Sequence, residues 1–192
     1  MAVFYFKPKI IDPFIFVLYE YQQGEQKIEL KEITFFESKT DILKYIKESD
    51  LKISIEKSDK EQSILIQLQN SINDYLTDGK IELFEKMKDL DILLDLKNNF
   101  KSDFSEKVLH ALINIKPGEL TTYSDLAKKI NSKAYRAIGG VLKNNPLPLI
   151  IPCHRVIKKD GKIGGFMGKM NNEWQTQLKR SLLEIEGNVI SD

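Results

Sequence analysis

Short apolar runs broken by turns fill the first half of the chain. Val3–Phe6, Phe14–Tyr19, Ile28–Leu30, Ile33–Phe36 and Leu51–Ile55 are rich in β-branched and aromatic residues, which predicts strands. Asp12-Pro13 and Gln23-Gly24 mark turns between them. Thr40–Lys47 reads as a short helix. Glu61–Leu76 reads as a longer one, with Ile64, Leu68, Ile72, Tyr75 and Leu76 at helical spacing. The second half is mainly helical. A helix over about Phe104–Ile115 turns Phe104, Val108, Leu109, Leu112 and Ile115 inward, and Lys116-Pro117-Gly118 stops it. Thr122-Tyr123-Ser124-Asp125 has the form of a capping box that opens a helix through Ala127 and Ile130. Asn131-Ser132 is a turn, and a second helix follows from about Lys133 to Lys143, which together make a helix-turn-helix pattern. A last helix, Asn172–Glu186, carries Trp174, Leu178, Leu182 and Ile185 on one face and meets Gly187 as its C-cap. Charge and two asparagines make Asp89–Lys101 a linker. The expected division is an α/β domain over residues 1–90, a linker over 91–101, and a mainly α domain over 102–192.

Composition changes this picture in two respects. Hydrophobic residues are 42% and charged residues 30% of 192, an ordinary globular balance. No apolar stretch approaches the roughly 20 residues that span a bilayer, and Met1–Lys9 lacks the form of a signal peptide, so no membrane partner is expected. The single cysteine excludes a disulfide scaffold and a multi-cysteine zinc site and suggests a reducing, cytoplasmic setting. The net charge of +1 conceals −5 over residues 1–100 and +6 over residues 101–192. A basic second half favours a polyanionic partner, though only weakly by itself.

The candidate chemistry lies in that basic half. Gly139-Gly140 sits inside the second helix of the pair, where each glycine costs roughly 1 kcal/mol relative to alanine. Either two helices pack closely there, or a bulky partner must approach the backbone. Arg136 lies a turn earlier, placed to meet phosphate, a base edge or a gap in a base stack. The lone cysteine, Cys153, ends the proline-stiffened run Asn145–Pro152 and precedes His154. Side chains adjacent on an extended segment point to opposite faces, so a bridging water would have to relay a proton between them. Such a histidine wants a carboxylate to orient it. Glu184 and Glu186 are available, although a last helical turn disfavours negative charge unless it finds a donor. His110 falls on the polar side of its helix and carries no expected role.

Ile151-Pro152-Cys153-His154-Arg155-Val156 matches the Pro-Cys-His-Arg-Val active-site motif of the O6-alkylguanine-DNA alkyltransferases. The resemblance runs in order from about Asp95 to Gly187. It includes Tyr123 within Gly118–Ala127, Arg136-Ala137-Ile138-Gly139-Gly140, Asn145-Pro146, Asp160-Gly161, Gly164-Gly165-Phe166 and Leu182–Gly187. The first half is similar only in size and α/β character. The resemblance implies a ribonuclease-H-like N-terminal domain and a winged-helix-like C-terminal one. It implies a monomeric repair protein that binds double-stranded DNA and takes the alkyl group from O6 of guanine onto Cys153, irreversibly and without a cofactor. Position by position, it implies that His154 acts as base through a water and that Glu186 orients it. Tyr123 would donate a proton to N3 of the base. Arg136 would fill the space of the flipped nucleotide, and Asn145 would hinge the recognition helix to the active-site loop. Small residues at Ala137, Gly139 and Gly140 would suit a minor groove. The carbonyls of Cys153 and Val156 would accept from the guanine amino group. The chain departs from the family at Phe166-Met167, where tyrosine then serine is frequent. The N–H of Met167 would still meet O6. No cysteine is available for the N-terminal zinc of some relatives, so no metal is expected. Three rivals exist: a non-catalytic lesion-sensing relative, a cysteine hydrolase and a transcription factor. Cys153 argues against the first, and the last leaves the Cys-His pair unexplained.

Overall fold

The computed structural model describes residues 1–49, 57–98, 100–169 and 173–190. The strand expected at Leu51–Ile55 and the helix start expected at Asn172 lie outside these residues. Three antiparallel strands, β1 (Ala2–Phe6), β2 (Phe14–Gln22) and β3 (Lys27–Phe36), form a meander. The central strand, β2, is buried on both faces, which explains its unbroken run Phe14–Tyr19. Phe16 and Leu18 pack under α1 (Lys39–Glu48) with Ile42 and Tyr45. Ile15, Val17 and Tyr19 face the opposite side and pack with Ile64, Leu68, Ile72 and Leu76 of α2 (Asp59–Asp78).

The two strands expected at Ile28–Leu30 and Ile33–Phe36 are one strand, β3. Leu18 pairs with Glu32 and Tyr19 with Leu30, so Lys31 is an extra residue on β3. This bulge flips the phase of the pleat, and the buried positions are Ile28 and Leu30 before it, Ile33 and Phe35 after it. A period-2 reading therefore splits the strand.

The segment expected as a linker is a packed connection. After α3 (Leu83–Asp89), β4 (Leu93–Leu94) adds to the sheet parallel to β3, and Phe100 is buried. Ser102 and Ser105 form a reciprocal capping box that opens α4 (Asp103–Ile113). β5 (Thr121–Thr122) leads into α5 (Tyr123–Lys129), and α6 (Tyr135–Lys143) packs against both α4 and α5. Asn131, with φ of 53°, closes α5 through Ser132 N–H to Ala127 O and its own N–H to Lys128 O, a Schellman end with asparagine in the usual glycine place. The last helix, α7 (Trp174–Ile185), ends the same way at Gly187.

One hydrophobic core joins both halves, from Ile15 and Tyr75 to Cys153 and Leu182. Two backbone contacts fix how they meet. Ile33 N–H of β3 donates to Pro146 O at 2.7 Å, which ties the second half's proline-rich loop to the sheet. Gly79 caps α2 with φ of 68°, and a Cβ there would lie 2.0 Å from the carbonyl oxygen of Ile185. The ends of α2 and α7 therefore meet with no room for a side chain. Gly79→Ala combines a left-handed backbone with a backbone clash and should cost roughly 3 kcal/mol or more. Urea denaturation of the intact chain measures it, and a loss below about 1 kcal/mol would show that the two helix ends can separate freely.

Candidate active site

The loop that follows α6 turns inward rather than out to solvent. Leu147, Leu149, Ile150 and Ile151 are all buried. Asn145 holds the loop closed. Its side-chain oxygen accepts from Leu147 N–H at 3.1 Å, and its amide donates to Ile151 O at 2.9 Å and to Cys153 Sγ at 3.1 Å. Cys153–Arg155 then forms a single 3₁₀ turn, not the extended segment expected, before β6 (Val156–Ile157) pairs parallel with β5. Cys153 consequently faces one way, while His154 and Arg155 turn to the other and meet at Glu186.

Cys153 faces a cavity of about 290 Å³. Its lining includes Tyr123 of α5, Tyr135, Gly139 and Leu142 of α6, and the segment Gly165–Lys169. Phe166 and Lys169 exchange backbone hydrogen bonds at 3.0 and 2.9 Å, and both residues between them have positive φ, 49° for Met167 and 76° for Gly168. This is the shape of a type I′ turn. Met167, which lines the cavity, thus holds a backbone conformation that methionine adopts only with strain.

His154 points away from the cavity, to a buried cluster. Its Nε2 lies 3.1 Å from Glu186 Oε1 and 3.1 Å from the Tyr75 hydroxyl, and Tyr75 donates to the same Oε1 at 2.7 Å. Arg155 meets Glu186 through Nε, at 3.0 and 3.1 Å, and through a terminal nitrogen at 2.7 Å. Its other nitrogen donates to Ile115 O, and Gly118 N–H reaches Glu186 Oε2 at 3.3 Å. The Glu186 side chain has no exposed surface. It occupies the C-cap of α7, and these donors offset the helix-end field that makes the position unfavourable for a carboxylate. Glu184 is exposed.

Each titratable group is moved by burial and corrected by neighbours. Burial raises the Cys153 thiol above its ordinary value, opposed by the Asn145 amide and the Lys179 charge. Burial lowers His154 more than Glu186 raises it, so the imidazole is neutral at neutral pH. Burial also raises Glu186, but the hydrogen bond from His154 and the hydrogen bonds and charge of Arg155 prevail and hold it at about 2. Tyr123 is raised by burial and by the Cys153 charge. Lys179 of α7 is buried; its ammonium donates to Val156 O at 2.6 Å and Gly165 O at 3.2 Å. Burial pulls it down to about 8.

The residues singled out in the sequence thus separate into three places. Cys153, Tyr123, Gly139, Phe166 and Met167 line the cavity. His154 and Glu186 stand behind Cys153, bonded to each other, and Asn145 bonds the sulfur itself. Arg136, Ala137 and Gly140 lie on the exposed face of α6, outside the cavity. Nothing lies within 4 Å of a Cβ added at Gly139 or Gly140, so close helix packing does not account for either glycine. The Val156 carbonyl already accepts from Lys179. Sequence reasoning missed Tyr75, Arg155 and Lys179. Lys179 carried a signal, because a cation at i, i+3 and i+7 with Leu182 and Glu186 sits on the buried face of α7.

Glu186 also makes stability depend on pH. Its carboxyl sits at about 2 when folded against 4.5 ordinarily, so the unfolded chain takes up the proton first as pH falls. The stabilisation is complete above pH 5 and is lost on descent toward pH 2. The stability difference between wild type and Glu186→Gln should therefore shrink by roughly 3 kcal/mol over that range. Urea titrations at several pH values test this, and a difference independent of pH would mean the carboxylate is not held ionised.

The family model described as the DNA-binding domain of 6-O-methylguanine DNA methyltransferase matches residues 103–188. The methylated-DNA–protein-cysteine methyltransferase of Methanocaldococcus vulcanius is 42% identical over 113 residues, 56% of this chain and 65% of that protein. The protein of the same name from Thermococcus kodakarensis is 35% identical over 128 residues, 66% of this chain and 69% of that protein. The chain therefore spans about two thirds of the length of these relatives. The crystal structure of the O6-methylguanine-DNA methyltransferase from Pyrococcus kodakaraensis superimposes with a TM-score of 0.61 at 26% identity, over 97% of this chain and 99% of that one.

Proposed function

The chain belongs to the methylated-DNA–protein-cysteine methyltransferase family, and we propose that it repairs DNA by moving the alkyl group of O6-alkylguanine to its own Cys153, once per molecule. The observation that carries this reading is the placing of the only thiol in the wall of a cavity beside α6, with a neutral histidine and an ionised glutamate behind it. The base must leave the duplex stack to reach such a thiol. Sγ attacks the alkyl carbon, the bond from that carbon to O6 breaks, and its electron pair stays with guanine. His154 Nδ1 is buried without a hydrogen-bond partner among the described residues, which supports a water passing the thiol proton to that nitrogen. Tyr123, at the cavity, is the donor to N3 of the departing base. The thioether left on Cys153 has no leaving group, so the protein is consumed.

The same reading takes residues 1–90 as a ribonuclease-H-like unit, 91–101 as the connection and 102–192 as a winged-helix-like unit that meets DNA. The antiparallel meander between α1 and α2 supports the first, and the packed trio α4, α5 and α6 supports the last. No helix among the described residues is long and apolar enough to cross a membrane. Arg136 and Ala137 are exposed on α6, suited to a duplex groove, with Arg136 entering the stack as the base leaves.

Two experiments test this reading. With excess duplex carrying labelled O6-methylguanine, wild type should take up one equivalent of methyl, mapped to Cys153, and Cys153→Ala should take up none while still binding DNA. Yield above one equivalent would indicate turnover. Binding without transfer by wild type would indicate a lesion sensor. Second, Gly140→Ala should stabilise the fold by up to about 1 kcal/mol, since a Cβ there meets open space. It should weaken duplex binding at the same time. Undiminished binding would show that DNA does not approach that face of α6.

A further inference from the structure

We propose that Tyr75, a residue of the first half of the chain, is a positioning residue of the transfer reaction: it holds the Glu186 carboxylate and the His154 ring in the one arrangement that leaves Nδ1 free to accept the thiol proton. The inference rests on the reading of Cys153 as the alkyl acceptor and adds a role for the N-terminal half in the chemistry.

The geometry settles the direction of each hydrogen bond. A phenol has one proton. The Tyr75 hydroxyl lies 2.7 Å from the charged Glu186 Oε1 and 3.1 Å from the uncharged His154 Nε2, so the proton goes to the carboxylate, the shorter and charge-assisted bond. Toward Nε2 its oxygen is then an acceptor. Glu186 Oε1, also 3.1 Å from Nε2, is an acceptor as well. Two acceptors and no donor face Nε2, so that nitrogen carries the ring proton and Nδ1 carries the lone pair. Nδ1 is the atom buried without a partner among the described residues. Without the phenol, the carboxylate would alone set the tautomer, and Oε1 would be free to turn toward Arg155, which already approaches it at 2.7 Å.

Tyr75 is well suited to this task. It has no exposed surface, and burial together with the Glu186 charge keeps its phenol protonated well above the ordinary value. Its position is set one turn before Gly79, where α2 abuts the carbonyl end of α7. Among the described residues, no other side chain of the first half is bonded to His154 or Glu186. A phenylalanine would bring the same buried ring to that α2 position, so the hydroxyl is what the packing does not explain.

The test uses the full chain with Tyr75→Phe, Glu186→Gln and the double variant, in single-turnover transfer from duplex containing O6-methylguanine. Tyr75→Phe should slow transfer about 10-fold with unchanged DNA affinity. The double variant should be no slower than Glu186→Gln alone, because Tyr75 acts through that carboxylate. Nitrogen-15 spectra of His154 should show the Nε2-protonated tautomer in wild type and a mixture in Tyr75→Phe. A purely structural tyrosine would leave the tautomer unchanged, and its effect would multiply with that of Glu186→Gln. Either result overturns the proposal, as does wild-type speed in Tyr75→Phe. If Tyr75→Phe does not fold, the wild-type spectrum still decides, since an Nδ1-protonated ring is incompatible with the proposed bonds. If wild type transfers no methyl at all, the reading of Cys153 has failed instead. The spectra, with the pH dependence of Cys153 alkylation by iodoacetamide, then judge Tyr75 separately.

Discussion

A buried carboxylate cannot stay ionised unless its surroundings replace the water it has lost, and Glu186 makes that demand on the whole molecule. The donors that answer it come from separate parts of the chain: Tyr75 on α2, Gly118 in the turn before β5, His154 and Arg155 on the 3₁₀ turn. Satisfying one charge thus fixes where the last helix ends, where α2 stops and how the thiol-bearing turn is rolled. The glycine contact between α2 and Ile185 serves the same end, since a looser junction would withdraw the phenol from its carboxylate.

From that anchor the resting chemistry follows. The thiol is disfavoured as an anion by its burial and the imidazole is disfavoured as a cation by its own, so the pair rests uncharged. Asn145 and Lys179 ease the thiol side of that balance without abolishing it. Lys179 also joins the carbonyls of Val156 and Gly165, so the charge near the sulfur and the walls of the cavity rest on one side chain.

Much of this could be read from the chain alone. The strands of the meander, the capped helices and the cluster around Cys153 announce themselves through local signals: alternation, capping residues and a lone thiol beside histidine. What stayed hidden depends on distance in sequence or on a phase change. The bulge at Lys31 reverses the alternation of β3 within one strand, and a two-residue β4 is too short for any pattern. Tyr75 satisfies the helical period as an apolar residue, so nothing marks its hydroxyl until α7 arrives from 111 residues away. Arg155 sits inside the motif, yet its partner is visible only once the fold turns it from the cavity. The last-turn glutamate looked unfavourable because its donors are non-local.

The 3₁₀ turn also constrains how this site can change over time. With about three residues per turn, successive side chains point about a third of a revolution apart. Cys153 meets the cavity, His154 reaches Glu186 and Tyr75, and Arg155 reaches Glu186 from another side and extends to the carbonyl of Ile115. The order of the three residues is thus a set of directions and not merely a composition. Exchanging two of them would keep every functional group and misaim two at once. An inserted or deleted residue would misaim all three. The tripeptide can be inherited only as a block, whereas an exposed position of α6, such as Arg136 or Ala137, can change without re-aiming its neighbours.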